Sequence, residues 1–121
     1  MYWNGAADKL EVNAGNPSPV SSNAVFTDGN VWVHAAITIS SGTVTFYRNG
    51  VAAGTGTITI PSTTTGVVIG DRTDGGCGAV CTFDGIIDEV RVSGIVRSAA
   101  WITTEYNNQN SPSTFFSSVG A

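Results

Sequence analysis

The chain has 121 residues, of which 12% are charged and 15 are glycine, and this length suits one small domain with a modest core. Its net charge is −4 and its basic residues are scattered, which excludes the basic stripe of a nucleic-acid-binding protein. No apolar run is long enough to cross a bilayer. A surface of hydroxyls and amides rather than charges is typical of an extracellular β-protein.

Residues 1–30 form a weakly patterned N-terminal segment. Short strands are predicted at residues 10–12 and 22–26, followed by a turn at residues 28–30. No secretory signal is recognisable after Met1. The sequence therefore leaves open whether this segment is native or is what remains after a cut.

The pattern strengthens in the middle of the chain. Residues 31–39 alternate with apolar side chains on both faces, which predicts a strand inside a sandwich rather than at its edge. Residues 43–48 and 51–60 are predicted as a hairpin. Asn49 and Gly50 between them suit a type I′ turn, because both residues adopt positive φ at low cost.

A second strong pattern lies at residues 83–92, after a short predicted strand at residues 67–70. Ile86, Val90 and Val92 share one face with Asp88, which predicts a long strand with an inward, structural carboxylate.

The end of the chain is predicted to be helical from Ser98 to about Asn107, with Ser98 as the N-cap. Trp101, Ile102 and Tyr106 would face inward at helical spacing. Residues 110–121 are predicted as a polar tail. Short strands with one late helix predict a single antiparallel β-sandwich domain over residues 1–121.

Four segments in this order resemble the laminin-G-like, concanavalin A-like jelly roll, in particular its bacterial LamG-type domains. The segments are Trp-Val-His-Ala-Ala-Ile-Thr at 32–38, Val-Thr-Phe-Tyr-Arg-Asn-Gly at 44–50, Val-Ile-Gly at 68–70 and Phe-Asp-Gly-Ile-Ile-Asp-Glu-Val-Arg-Val at 83–92. Residues 97–109 are also similar to the ending of such domains in secreted multidomain proteins. The resemblance implies an all-β, antiparallel jelly-roll β-sandwich with one short C-terminal helix.

One departure from the family pattern concerns the N-terminal side. Members of the family usually have many more residues before the Trp-x-His-Ala segment, whereas only about 30 precede it here. The chain is therefore either a trimmed jelly roll or one that another copy or chain completes. Because an unfinished sandwich exposes strand edges and an apolar face, we expect self-association or a neighbouring domain.

Two cysteines, Cys77 and Cys81, lie in a glycine-rich loop. A disulfide between them is favoured over two free thiols. A zinc site is disfavoured because it needs about four ligands and His34 is the only other nitrogen or sulfur candidate.

A calcium site at Asp71 and Asp74 is implied by the resemblance, because some relatives hold calcium near the rim formed by this loop. Arg72 stands where such a relative would offer a carboxylate, and its charge opposes a metal. The alternative, which we favour, is that both aspartates are turn residues that bond their own backbone.

Candidate ligand-binding residues are Tyr2 and Trp3, whose rings either stack on a sugar or pack at a subunit contact. Trp32 and Trp101 are predicted to lie in the core. His34 is predicted to be structural, because no nucleophile and acid partner it in a catalytic pattern.

Catalysis is not expected. Jelly-roll glucanases resemble one another in a strand with the pattern Glu-x-Asp-x-x-Glu, and this sequence lacks that pattern. Asp88 and Glu89 point to opposite faces of the predicted strand, so they cannot flank one glycosidic bond. The sequence therefore predicts a non-catalytic extracellular recognition or adhesion module that binds glycans. The alternative is a structural subunit or decoration domain of a surface fibre or virion.

Overall fold

The computed structural model describes residues 2–4, 8–13, 19–26, 29–60, 62, 69–70, 83 and 85–115. Six strands precede two helices in these parts of the chain. The elements are β1 (Tyr2–Asn4), β2 (Lys9–Val12), β3 (Val20–Ser21), β4 (Ala35–Ser40), β5 (Thr43–Arg48), β6 (Val51–Thr57), α1 (Ala99–Asn110) and α2 (Pro112–Phe115).

The first sheet has the strand order β1-β2-β3, and both pairs are antiparallel. The strand predicted at residues 22–26 is displaced, since β3 ends at Ser21. The Ser22 hydroxyl accepts a hydrogen bond from the Leu10 amide at 3.2 Å and donates one to the Ala24 carbonyl at 2.9 Å. The Ser22 amide still donates to the Leu10 carbonyl at 2.9 Å and the Phe26 amide to the Asp8 carbonyl at 2.7 Å, so this part of the chain stays beside β2 without forming a regular ladder.

The second sheet has the order β4-β5-β6 and contains the predicted hairpin. Asn49 and Gly50 have φ of 51° and 76°, which confirms that both turn residues are left-handed, as a type I′ turn requires. β4 begins only at Ala35, because the Asn49 side chain accepts the His34 amide at 3.0 Å just outside the ladder. Among the described strands β4 pairs only with β5, so its predicted position inside the sandwich stays a prediction.

The two sheets share one hydrophobic core, which confirms the two-layered arrangement. The buried residues of this cluster are Leu10, Val12, Phe26, Val44, Phe46, Ala53 and Ile58. Val44 and Phe46 of the central strand have no exposed surface. The layers also meet through the backbone, where the Asn23 amide donates to the Ala53 carbonyl at 2.7 Å.

Helix α1 packs on the turn of the hairpin. Ser98 is its N-cap, as predicted, and its hydroxyl accepts the Trp101 amide at 3.2 Å. The Thr103 hydroxyl donates to the Gly50 carbonyl at 2.7 Å, and Ile102 is buried. The helix continues to Asn110, beyond its predicted end at 107. Within the described parts of the chain, no helix combines the length and apolar character needed to span a membrane.

The strand predicted at residues 83–92 is not part of a sheet in the described structure. Residues 86–93 carry no assigned secondary structure, and Glu89 has a φ of 52°, which interrupts an extended backbone. Six apolar side chains of this region are exposed, and we refer to them together as the apolar segment. Its members are Ile86, Ile87, Val90, Val92, Ile95 and Val96.

Candidate functional site

A depression of about 170 Å³ lies beside helix α1, and we refer to it as the helix groove. Its lining residues are Arg91, Trp101, Thr104, Glu105 and Asn108. The last four are spaced at i, i+3, i+4 and i+7, so they share one face of the helix. The volume is below the roughly 300–1,000 Å³ of pockets that enclose a drug-sized molecule. The groove therefore suits part of an extended ligand rather than a buried cofactor.

Three charged side chains meet at one side of the groove. Arg91 is hydrogen-bonded to Glu105 and to Glu89, the latter at 3.0 Å. Glu105 is nearly covered, with 10% of its side chain exposed, whereas 56% of Glu89 is exposed. The hydrogen bond with Glu89, aided by the charge of Glu105, raises the pKa of Arg91 above its usual value. Together with Arg97, which lies over the Trp101 ring, these groups are two carboxylates and two guanidinium groups, so their charges cancel.

Trp101 supplies the aromatic wall of the groove, and its predicted core position is wrong. Its exposed fraction is 39%, and the guanidinium carbon of Arg97 lies 4.7 Å from the ring centroid. The helix packs through Ile102 instead, which lies about 100° further around the helix axis. Trp32, also predicted in the core, is 66% exposed.

His34 lies next to the groove residues without lining the groove. Its ring centroid is 5.9 Å from that of Tyr106, and among the described residues its buried Nδ1 has no hydrogen-bond partner. Burial lowers the pKa of His34, and the charge of Glu105 partly opposes this shift. These contacts favour a neutral, packed imidazole and agree with the structural role predicted for it.

Asp88 was predicted to point inward from a strand, and this is wrong. The residue is exposed, and its Oδ1 accepts a hydrogen bond from the Glu89 amide at 2.8 Å. The bond is local and satisfies the backbone where the chain takes its left-handed turn at Glu89.

Most of the predicted site residues lie outside the described residues. Asp71, Asp74, Cys77 and Cys81 all do, so the calcium site and the disulfide stay predictions.

The aromatic candidates Tyr2 and Trp3 are described only through their backbone. Both lie in β1, opposite Glu11 and Leu10, and their side chains lie outside the described part. Within the described ranges, no three histidine, cysteine or acidic residues come close enough to hold a metal.

The groove itself was missed by sequence reasoning, although a signal for it existed. The pattern Trp101, Thr104, Glu105 and Asn108 places one aromatic and three polar side chains on a single helical face. The contribution of Arg91 could not be found in the same way, because 14 positions separate it from Glu105.

Comparison with known proteins identifies the family. Residues 2–103 match the model of the concanavalin A-like lectin/glucanases superfamily. The chain belongs to this superfamily. Its membership confirms the fold class expected from the resemblance, and the superfamily's description covers both sugar-binding proteins and sugar-cleaving enzymes.

A solved structure gives a second comparison. The chain is 32% identical to residues 221–444 of an S-layer domain-containing protein from Clostridium thermocellum, with a TM-score of 0.58. The match covers 74% of this chain and 45% of that one, so the chain spans less than half of that structure. A comparison with curated proteins finds no match.

Proposed function

We propose that this chain is a non-catalytic recognition module of an extracellular protein and that its helix groove contacts glycans. The observation that carries the proposal is an exposed tryptophan beside amide, hydroxyl and charged groups in one depression of a concanavalin A-like domain. The likeness to an S-layer domain-containing protein supports a position at the cell surface.

The groups of the helix groove suit a sugar. The half-exposed ring of Trp101 offers an apolar surface for the C–H face of a pyranose, while one side of the ring is occupied by Arg97. The Asn108 amide both donates and accepts hydrogen bonds, which matches a sugar hydroxyl. Because the charges of the two charged lining residues, Arg91 and Glu105, cancel, the groove suits a neutral sugar.

The arrangement of carboxylates supports a non-catalytic function. Glycosidases need one carboxylic acid that is protonated and a second carboxylate across the scissile bond. Glu89 and Glu105 instead both accept hydrogen bonds from the same side chain, the guanidinium of Arg91. The two carboxylates are therefore joined through one cation rather than held on opposite sides of an open cleft.

Glycan-array binding tests this proposal. The chain is expected to bind neutral glycans, and Trp101→Ala is expected to weaken binding about tenfold or more. Trp32→Ala is the matched control, since Trp32 is exposed but does not line the groove. An absence of binding by the unmodified chain would overturn the proposal, and equal losses in both variants would move the site away from the groove.

The same array tests the predicted calcium site. Repeating it with a chelator asks whether Asp71 and Asp74 contribute through calcium. Binding that survives chelation supports a groove that acts without metal, whereas lost binding would place the site at their loop.

A second candidate function is assembly into a surface structure, with a neighbouring copy completing the sheets. The observation that favours it is the apolar segment, in which Ile86 is 78% exposed and Val92 is 86% exposed. Contiguous exposed apolar side chains are typical of interaction surfaces. Sedimentation of the chain over a range of concentrations separates the candidates, because only assembly requires an oligomer.

A further inference from the structure

We infer that residues 88–92 pair antiparallel with the same residues of a second copy of this chain, with Val90 opposite Val90 at the two-fold axis. The inference deepens the second candidate function, assembly, and rests on it. Its starting point is the apolar segment, which combines exposed side chains with a backbone outside any sheet.

The backbone of residues 86–92 forms no ladder with the other residues that the structure describes. Among the described residues, none from 86 to 92 makes a backbone-to-backbone hydrogen bond outside regular elements. The one bond recorded for an amide there is the local one from Glu89 to the Asp88 side chain. Exposed segments with alternating apolar residues are templates for another strand. Pairing requires Glu89 to leave its left-handed conformation, which side chains other than glycine rarely adopt.

Symmetry restricts the possible registers. A two-fold axis through an antiparallel pair places one residue opposite its own copy. An axis at Asp88, Glu89 or Arg91 sets like charges against each other, which is destabilising.

An axis at Val90 sets valine against valine and Asp88 against Val92, so no like charges lie opposite each other. Glu89 then lies opposite Arg91 of the second copy, and the pair occurs twice. An axis at Val92 would instead leave Arg91 opposite Ser93 with no charge partner. Charge complementarity therefore selects Val90.

Arg91 can serve both the groove and this interface. Its guanidinium presents five donors, and more than half of its side chain is exposed although it already binds Glu105 and Glu89. In the paired form, Glu89 of the second copy replaces or joins Glu89 of the same chain, while the better covered bond to Glu105 stays.

Cysteine cross-linking tests the register. In a Cys77→Ser, Cys81→Ser background, Val90→Cys is expected to form a covalent dimer under mild oxidation. Residues opposite each other have Cα atoms about 4.5–5.5 Å apart, within the range of about 4.4–6.8 Å that a disulfide spans. Val92→Cys is the control, because its copies would lie four residues, or about 13 Å, apart along the strand.

Charge variants give an independent readout by sedimentation. Arg91→Glu sets four carboxylates around the axis and is expected to shift the dimer to monomer, and the double variant Glu89→Arg, Arg91→Glu is expected to restore the dimer. If Arg91 supported the dimer only through its bond to Glu105, the double variant would not restore the dimer.

The outcomes separate the register from assembly itself. An oligomer in which Val90→Cys fails to cross-link, or in which Val92→Cys cross-links equally well, overturns the register but keeps assembly. A chain that stays monomeric at all concentrations overturns both.

Discussion

The central hairpin and the apolar segment carry similar sequence patterns but end in opposite environments. In β5, Val44 and Phe46 alternate with polar residues and have no exposed surface, whereas Val90 and Val92 alternate in the same way and are 51% and 86% exposed. β5 has a strand on each side. Residues 86–92 have none among the described residues. An alternation of apolar and polar residues therefore makes a segment suitable for burial in a sheet. Whether its apolar side chains are buried depends on the strands beside it.

The largest expected difference in stability between the two regions is tested by replacing one phenylalanine in each. Phe46→Ala is expected to lower the free energy of unfolding by about 3–5 kcal/mol, because it removes a fully buried ring and leaves a cavity. Phe83→Ala is expected to lower the free energy of unfolding much less, because Phe83 is 47% exposed. Urea denaturation measures both. Equal losses would show that the region beginning at Phe83 is buried in solution.

The next largest loss of stability is expected where the hairpin turn contacts helix α1. A Cβ at Gly50 would lie 3.1 Å from the Thr103 Cα and from the Tyr106 ring, and Gly50 has a positive φ. Gly50→Ala is therefore expected to lower the free energy of unfolding by about 1–3 kcal/mol.

The control for this substitution is Gly94, which stands between Val92 and Ile95 of the apolar segment. A Cβ at Gly94 would meet nothing within 4 Å, so Gly94→Ala is expected to change stability by less than about 0.5 kcal/mol. If thermal unfolding showed the two variants to be alike, helix α1 would not pack on the turn.

A smaller effect is expected at the start of α1, which follows the apolar segment directly. Ser98→Ala removes the hydroxyl that accepts the Trp101 amide, and a lost N-cap costs about 1 kcal/mol. Ser113→Ala, at an exposed position in α2, serves as the control. Helix content by circular dichroism and thermal unfolding measure the change. An unchanged stability would mean that α1 is held by its packing on Gly50 alone.

The smallest expected effect concerns pH. Burial lowers the pKa of His34 in the folded protein, so the unfolded chain binds the proton more readily. The stability linked to this group is present above its unfolded pKa of about 6.5 and is lost as the pH falls through the folded pKa.

The comparison of wild type with His34→Gln isolates this contribution. The variant is expected to lose less stability than wild type between about pH 7.5 and pH 5 in urea titrations. Identical pH profiles would show that His34 is as accessible to protons in the folded protein as in the unfolded one.

Local features were the most predictable from the sequence. The Asn49–Gly50 turn and the Ser98 cap depend on the chemistry of a few adjacent residues, and both were located correctly. The ends of strands were less predictable. The start of β4 at Ala35 depends on the side chain of Asn49, 14 positions away.

The candidate site was the least predictable part. The helical face from Trp101 to Asn108 could be anticipated from spacing, but its exposure could not, because either Trp101 or Ile102 could have packed inward. Arg91 joins the groove only through bonds to Glu105 and Glu89 that depend on the folded path of the chain.

The sequence by itself determined the two-layered β architecture with a helical end, the family, and the sharp turn between β5 and β6. Only the tertiary structure decided that residues 86–92 stay outside a sheet and that Trp101 faces solvent. The reason is physical: turns, caps and alternation arise from neighbouring residues, whereas burial and strand pairing require surfaces that distant parts of the chain, or another chain, must supply.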